Sequence, residues 1–275
     1  MRVVVLYTSG HLGSAAILSE MARWPEIQIV GLVRAEALSL GEAGAVAKAR
    51  RHLGKLGTRF SWLLCWQRLV QMVGFGIGRL MPWRRRVRSG QEIASELAVP
   101  TLTTHDINGA AARAWIAARS PDLLVSACFA QILRAPAIAL PRIGVLNVHP
   151  GWLPSQRGAM AYFWPLRNGE SHSGATVHWI DEGIDTGALL ARRRLRLGRR
   201  STQQRVLVRS CIVGARLCRR VVRQLVRGRQ PTPILIDNES SAYFPMPGRA
   251  DFEDYFARRR FFRIRDVLGV LVRPA

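Results

Sequence analysis

The spacing of apolar and polar residues predicts an alternating series of strands and helices along most of the chain. An apolar, β-branched run at 2–7 precedes a helical pattern over 14–23 and a second apolar run at 27–33. A strand, a glycine-containing turn, a helix and a strand are typical of the start of a parallel α/β sheet. Further predicted elements are strands at 99–103, 122–128, 143–148 and 174–180, and helices at 91–98, 108–119 and 202–227. We therefore predict an α/β, Rossmann-like domain with a mostly parallel sheet.

This pattern predicts one main domain over residues 1–230 and a short C-terminal tail over 231–275. An amphipathic segment at 60–88 lies between the second strand and the next helix and does not fit the α/β alternation. At 100° per residue its apolar residues share one helical stripe. That stripe contains Trp62, Trp66, Leu69, Val73, Ile77 and Leu80, and it is followed by Trp83 and Arg84–Arg86. Two interpretations stay open: an insertion helix that packs on the domain or on a second subunit, or a helix that lies on a membrane surface.

The charge of the chain is strongly positive, with 41 basic and 18 acidic residues and a formal net charge of +23. All the basic residues except Lys48 and Lys55 are arginines, which fits a compositional bias as well as a polyanionic partner. Between Asp185 and Asp237 there is no acidic residue, and the predicted helix at 202–227 is rich in arginine. That helix therefore presents either a solvated basic face or a contact for an RNA backbone or another anionic partner.

Neither a signal peptide nor a run of eighteen apolar residues occurs in the sequence, so we expect no transmembrane helix. The four cysteines form no CxxC pair and no disulfide framework. We therefore expect a cytoplasmic protein, which would lie at the inner membrane surface if the 60–88 segment binds lipid.

Candidate chemistry is concentrated at residues 143–190. Period-2 geometry places the side chains of Asn147 and His149 on the same side of a strand, near its carboxyl end, where open α/β sheets bind ligands. An imidazole can transfer a proton and an amide can donate to a developing oxyanion. Carboxylates follow in a glycine-rich loop at Asp181, Glu182 and Asp185. Without a Ser or Cys nucleophile or a GxSxG elbow, this set suits acyl transfer by direct attack of the acceptor.

The run NVHPGWLPSQRG…NGESHSGATVHWIDEGIDTG resembles the signature of the 10-formyltetrahydrofolate-dependent formyltransferases. That family includes methionyl-tRNA, glycinamide ribonucleotide and amino-sugar formyltransferases. About fifty contiguous residues agree with its pattern, and 1–35 and 100–142 agree more loosely. Two positions depart from it: Gly151 stands where the family has Ser, and Trp152 where it has Leu. Neither change removes a catalytic group, but both affect the expected shape of the acceptor site.

The resemblance implies a catalytic role for three residues. Asn147 would donate a hydrogen bond to the formyl oxygen as the tetrahedral intermediate forms. His149 would handle the proton, and Asp185 would fix its tautomer and help to shuttle the proton of the amine. An uncharged amine would attack the formyl carbon of 10-formyltetrahydrofolate, the expected co-substrate, and tetrahydrofolate would leave. No metal is expected, because His149, His172 and His178 lack the spacing of a metal site.

The resemblance also implies binding residues on both sides of the reacting centre. The expected donor-binding residues are Phe129, Gln131, Ile132, Leu133, Asp181, Glu182, Gly183 and Gly187. The expected acceptor-binding residues are Ser9, Gly10, Gly13, Ser14, Arg157 and Gly158. Backbone amides at a helix N-terminus in the 9–14 loop would suit a phosphate group.

Several acceptors remain open. An amino sugar or a similar small or lipid-linked amine comes first, because the residues after Gln230 are too few for the C-terminal barrel of methionyl-tRNA formyltransferases. Tyr243–Phe252 also resembles a short Tyr-Phe-Pro segment of some amino-sugar formyltransferases. Methionyl-tRNA comes second and glycinamide ribonucleotide third. Two further hypotheses are a 10-formyltetrahydrofolate hydrolase, with water as the acceptor, and a catalytically silent binding protein.

Overall fold

The computed structural model describes residues 1–35, 87–235 and 241–258, and the single residues 58, 61, 62, 65, 66, 69, 72, 73, 263 and 266. The strands are β1 (Arg2–Thr8), β2 (Gln28–Ala35), β3 (Thr101–Thr104), β4 (Leu123–Ala127), β5 (Gly144–His149), β6 (Arg157–Gly158), β7 (His172–Trp179), β8 (Leu189–Arg196) and β9 (Tyr243–Phe244). The helices are α1 (Leu12–Met21), α2 (Gly90–Glu96), α3 (Ala110–Ala117), α4 (Ala135–Ile138), α5 (Trp164–Arg167), α6 (Gln203–Val226) and α7 (Arg249–Arg258).

Within these described residues, a seven-stranded sheet has the order β3-β2-β1-β4-β5-β7-β8. Strands β1 to β5 pair in parallel, which confirms the predicted Rossmann-like α/β class with a mostly parallel sheet. β7 and β8 are antiparallel to their neighbours. From the central β1 the chain builds β2 and β3 on one side and then β4 and β5 on the other. The crevice beyond the carboxyl ends of β1 and β4 is therefore the topological switch point, where such sheets bind ligands.

The core lies on both faces of the sheet, as the alternation in β1 requires. Val3, Val5 and Tyr7 point into the larger cluster with α1 and α6, whereas Val4 and Leu6 point into a smaller cluster on the other face. Helix α6 matches its predicted bounds to within two residues because its apolar positions recur at helical spacing and are buried.

The described part of the tail packs on the main domain. Phe252 and Tyr255 of α7 are fully buried against Phe163. The Tyr255 hydroxyl accepts a hydrogen bond from the backbone N–H of Gln203, at the start of α6. The tail therefore shares the core of the domain, and the boundary near residue 230 stays a prediction.

Most of the 60–88 segment lies outside the described residues, including Ile77, Leu80, Trp83 and Arg84–Arg86. Its described residues at 61, 62, 65, 66, 69, 72 and 73 are helical. Across the described part of the chain, no helix combines the length and hydropathy needed to cross a membrane.

Candidate active site

The carboxyl end of β5 presents two polar side chains beside β7. Asn147 lies directly opposite His178 in the antiparallel β5–β7 pair, and His149 lies opposite Thr176. The Nδ2 atom of Asn147 is 3.0 Å from Nε2 of His178. A second imidazole, that of His178 on the neighbouring strand β7, thus lies next to the predicted pair of Asn147 and His149.

The third predicted residue, Asp185, reaches this cluster from the glycine-rich loop between β7 and β8. Its Oδ1 atom is 3.5 Å from Nδ1 of His149, 3.5 Å from Nε2 of His178 and 3.4 Å from Nδ2 of Asn147. Its other oxygen, Oδ2, accepts a hydrogen bond of 2.8 Å from the backbone N–H of Gly158. The structure therefore brings the three predicted catalytic residues together, with the Asp185 carboxylate in contact with both Asn147 and His149.

The cluster is largely shielded from solvent, with exposed side-chain fractions of 4% for His149, 2% for His178 and 12% for Asp185. Burial alone would raise the pKa of Asp185. Attraction to the two imidazoles and the hydrogen bond from Gly158 outweigh burial and hold that pKa well below its usual range. Asp185 is accordingly a carboxylate at neutral pH.

Backbone carbonyls identify the protons on the two imidazoles. Nδ1 of His178 donates to the carbonyl of Trp179 at 2.7 Å, and in the neutral ring its Nε2 accepts from the Asn147 amide. Nε2 of His149 donates to the carbonyl of Gln156 at 2.7 Å, so its Nδ1 faces the Asp185 carboxylate. A proton arriving at Nδ1 would thus be held between an imidazole and a carboxylate, as a general acid–base pair requires.

The two departures from the family pattern each have a local structural reason. A methyl group at Gly151 would lie 2.7 Å from Nε2 of His149 and 2.7 Å from Cβ of Ala161, so this position has no room for a side chain. The ring of Trp152 lies beneath the guanidinium groups of Arg192 and Arg194, at 4.3 and 4.7 Å from its centroid. These are cation–π distances, and they place the additional bulk against the edge strand β8.

The predicted donor-binding segment after β4 is stabilised by side-chain hydrogen bonds. Gln131 accepts from the backbone N–H of Ile107 and donates to the carbonyl of Thr104. Leu133 is buried in the smaller core cluster and Phe129 packs against it, whereas Ile132 is exposed. Ile132 is thus the side chain of this segment most available to a ligand, and the donor-binding role of the four residues stays a prediction.

The shape of the predicted donor loop at 181–187 is held by hydrogen bonds and close contacts between its own residues. Asp181 accepts hydrogen bonds from the backbone N–H of Gly183 and from the Thr186 hydroxyl. A methyl group at Gly187 would lie 1.9 Å from the carbonyl oxygen of Trp179, and one at Gly183 would lie 2.0 Å from the Thr186 hydroxyl. Both glycines are required by close contacts inside the loop. Glu182 is exposed next to them.

The predicted acceptor loop connects β1 to α1, at the switch point. Gly10 is exposed at a φ of +64°, and Ser9 is partly exposed. Ser14 is buried, and its hydroxyl donates to the carbonyl of Ala127 and accepts from the N–H of Thr8. Gly13 is buried against Cys211 of α6. Ser14 and Gly13 therefore pack the loop against β4 and α6, Ser9 and Gly10 form its exposed part, and the acceptor-binding role of the four residues stays a prediction.

Beneath this loop, two thiols approach each other. The Sγ atoms of Cys128 and Cys211 are 3.6 Å apart. The hydrogen bond with Cys211, together with nearby His11, outweighs burial and lowers the pKa of Cys128. This pair was not apparent in the sequence, because Cys211 lies on α6 and only the packing of that helix brings it to the end of β4.

The predicted acceptor residues Arg157 and Gly158 form β6, which pairs in parallel with β9 of the tail. Nε of Arg157 donates to the carbonyl of Ile184 at 3.0 Å. Its Nη1 donates to the hydroxyl of Ser241 at 3.2 Å. The predicted acceptor side is therefore built jointly by the main domain and the tail.

Sequence reasoning missed three contributors to the site: His178, the carbonyl of Gln156 and the strand β9. Period-2 alternation in His172–Trp179, paired in register with Asn147, was the available signal for His178. For β9 the signal was the Tyr-Phe-Pro segment at Tyr243, which indicated a resemblance but not a strand beside β6. For Gln156 no comparable signal exists, because a backbone carbonyl leaves no mark on the sequence pattern.

Comparisons with known proteins find relatives of this chain in both sequence and structure. Residues 85–221 match the family model described as formyl transferase. The chain is 33% identical over 180 residues to a methionyl-tRNA formyltransferase of Cyanothece sp., covering 62% of this chain and 53% of that protein. It is 34% identical over 164 residues to a methionyl-tRNA formyltransferase of Geobacter metallireducens, covering 58% and 51%. The chain thus spans about half the length of these curated relatives.

Solved structures share the fold at lower sequence identity. A phosphoribosylglycinamide formyltransferase from Streptococcus pneumoniae superimposes with a TM-score of 0.55 at 18% identity, over 82% of this chain and 98% of that one. An N-formyltransferase from Helicobacter canadensis, in complex with folinic acid and dTDP-3-aminofucose, gives 0.54 at 14% identity, over 90% and 71%. These likenesses show that the chain shares the Rossmann-like fold of those proteins. The chain belongs to the formyltransferase family.

Proposed function

We propose that the protein transfers a formyl group from 10-formyltetrahydrofolate to a primary amine. The observation that carries this proposal is the meeting of Asn147, His149 and Asp185 at the end of β5, where Oδ1 of Asp185 is 3.4 Å from Nδ2 of Asn147 and 3.5 Å from Nδ1 of His149. An amide donor, an imidazole and a carboxylate are the groups that such a transfer needs, because no covalent enzyme intermediate has to form.

Each residue has a definite task in this proposal. When bound, the folate donor supplies the formyl carbon, which the uncharged amine attacks. Asn147 donates a hydrogen bond to the formyl oxygen, and it gives up its long contact of 3.4 Å with Asp185 to do so. His149 and Asp185 receive the proton lost by the amine nitrogen and return it to the departing folate nitrogen. One N–C bond forms and one breaks, so the transfer balances without an oxidant or a metal.

The donor loop fits a flat heterocycle that is bound through backbone groups. Its close internal contacts leave no room for a side chain at Gly183 or Gly187, so the loop keeps a fixed backbone path there. Isothermal titration calorimetry with a non-reactive 10-formylfolate analogue tests this. Wild-type protein should bind in the micromolar range, and Gly187→Ala should lose that binding. Gly198→Ala is the control, because a methyl group there meets no atom within 4 Å. Absence of binding to the wild type would contradict the donor assignment.

For the acceptor, we propose an amino sugar or a similar small or lipid-linked amine. Support comes from the tail, whose Tyr243–Phe244 strand pairs directly with Arg157 and Gly158, two of the predicted acceptor-binding residues. Methionyl-tRNA is the second acceptor, since the matched curated relatives carry that name and α6 has exposed arginines at 205, 209 and 220.

An acceptor screen distinguishes these acceptors. Purified protein is incubated with 10-formyltetrahydrofolate and either nucleotide-linked amino sugars, methionyl-tRNA or no amine, and the products are identified by mass spectrometry. A formylated amino sugar that His149→Gln fails to form supports the proposal. Formyl-methionyl-tRNA alone would replace the acceptor assignment, and folate turnover without any amine would indicate a hydrolase. No turnover with any acceptor would overturn the transfer activity.

We further propose that the enzyme works at the surface of an anionic membrane. The described residues between 61 and 73 include five exposed large apolar side chains: Trp62, Trp66, Leu69, Met72 and Val73. At 100° per residue these fall within an arc of about 120°. Exposed fractions reach 66% for Trp62 and 71% for Met72. In the sequence, eleven basic and no acidic residues lie between Glu42 and Glu92, which complements anionic headgroups.

Co-sedimentation with vesicles tests this membrane contact. Wild-type protein should pellet with vesicles of phosphatidylcholine and phosphatidylglycerol and remain largely unbound to phosphatidylcholine alone. Trp62→Ala combined with Trp66→Ala should reduce pelleting about tenfold, because roughly 150–250 Å² of apolar surface is lost for each ring. Leu235→Ala combined with Met246→Ala is the control, since both side chains are exposed elsewhere. Equal pelleting of the wild type and the tryptophan variant would overturn this part of the proposal.

A further inference from the structure

The strand β6 is held on two opposite sides. The backbone N–H groups of Arg157 and Ala159 donate to the carbonyls of Ala242 and Phe244 in the tail, both at 3.0 Å. The N–H of Gly158, between them, points the other way and donates to Oδ2 of Asp185. Alternate amides of an extended segment point to opposite sides. β6 therefore connects the tail strand, residues 241–244, directly to the carboxylate.

Close packing at Gly158 makes this connection rigid. Its φ of +98° is a conformation that side chains rarely allow. A methyl group there would lie 2.2 Å from the carbonyl oxygen of Phe244 and 2.9 Å from the ring of Tyr243. The tail strand thus contacts Gly158 so closely that a shift of one would displace the other.

Arg157 forms a second link between the tail strand and the Asp185 loop. Its guanidinium donates to the Ser241 hydroxyl and to the carbonyl of Ile184, the residue before Asp185. Both the backbone position and the carboxylate of Asp185 are therefore connected to residues 241–244.

The tail strand itself is anchored in the domain. The ring of Phe244 stacks on Trp164 with centroids 5.0 Å apart, and Nε1 of Trp164 donates to the carbonyl of Ala159. Such a stacked pair contributes about 0.5–1.5 kcal/mol beyond the area that it buries. Phe244 therefore sets the position of β9 relative to β6.

We propose that the tail strand is a positioning element for the reaction: residues 241–244 fix β6 so that the Gly158 amide holds Asp185 between His149 and His178. Its catalytic consequence rests on the proposed formyl transfer, whereas its effect on the geometry of the cluster does not. The charged and titratable groups around Asp185 are His149 from β5, His178 from β7 and Arg157 from β6.

Phe244→Ala tests the proposal by two measurements. The first is imidazole ¹H–¹⁵N NMR as a function of pH, with His149 and His178 assigned from single variants; the second is the pH profile of kcat/KM. In Phe244→Ala the ring ¹H and ¹⁵N resonances of both imidazoles should shift, because Asp185 moves relative to their nitrogens. kcat/KM should fall about 10- to 100-fold, because small misplacements of catalytic groups have effects of this size.

Phe244→Tyr retains the ring and should restore both readouts. Phe252→Leu is the matched control: Phe252 is a buried aromatic of the tail that packs on Phe163, so this change should lower Tm without altering either readout. Phe244→Leu replaces the alanine variant if that variant does not fold. Unchanged imidazole resonances in folded Phe244→Ala, or equal changes in Phe252→Leu, would overturn the proposal. If the wild type proves to lack formyl transfer, the NMR measurement still decides the positioning role.

Discussion

A methyl group added to Gly151 would lie 2.7 Å from Nε2 of His149, the nitrogen that donates to the carbonyl of Gln156. The imidazole of His149 can therefore occupy its position only because residue 151 has no side chain. Gly151→Ser, which restores the residue typical of the family, should therefore displace His149 and reduce kcat/KM by about 100-fold.

Gly198→Ala is the matched control for that substitution, because a methyl group at 198 meets no atom within 4 Å. It should leave kcat/KM within twofold of the wild type. Steady-state kinetics on folded variants decide the point. Full activity in Gly151→Ser would mean that the loop relaxes around the new side chain and that the glycine is dispensable.

His178 offers a test of how Asn147 is oriented. Its Nε2 accepts from the Asn147 amide, so His178→Leu removes that acceptor and leaves the amide without a fixed direction. We expect kcat to fall by about 10- to 100-fold with a smaller change in KM for the amine, since the amide acts on the formyl oxygen. His178→Gln supplies a carbonyl oxygen as acceptor and should recover part of kcat. Equal losses in both variants would indicate that His178 acts through its ring and not through Asn147.

The sequence predicted the parallel half of the sheet and the strand that carries Asn147 and His149, because those strands are apolar on both faces and end in polar residues. It did not predict β8, since Arg192, Arg193 and Arg194 look like a loop. As the edge strand in the described sheet, β8 can expose its arginines and still pair with β7. His178 was missed as a member of the cluster for a related reason: only the register of β7 against β5 places it opposite Asn147.

The thiol pair leads to a chemical prediction. Because Cys211 and His11 lower the pKa of Cys128, its alkylation by iodoacetamide should reach half-maximal rate at a pH below about 8.5, the ordinary pKa of a thiol. Cys218 should stay unlabelled, since burial raises its pKa to about 12. Cys211→Ala should shift the Cys128 profile to higher pH. Peptide mass spectrometry across pH 5–9 gives all profiles in one experiment, and an unshifted Cys128 profile in Cys211→Ala would contradict the prediction.

The depressed pKa of Asp185 predicts a specific loss of stability in acid. A carboxyl group whose pKa is lower in the folded than in the unfolded state stabilises the fold above its unfolded value, near 4, and this contribution is lost as the pH falls further. In Asp185→Asn the contribution is absent at every pH. The difference in Tm between wild type and Asp185→Asn should therefore be largest at neutral pH and shrink below about pH 4.

Strain does not confound that comparison, because Asp185 has a φ of +53°, a region that Asn also tolerates. Asp254→Asn is the control: this carboxylate is 56% exposed and pairs with Arg167 at the surface, so its effect on Tm should be small throughout. Under the proposed function, Asp185→Asn should also lower kcat by about 10²- to 10⁴-fold at neutral pH. A Tm difference that stays constant from pH 7 to pH 3 would show that the two imidazoles and the Gly158 amide do not stabilise the ionised form of Asp185.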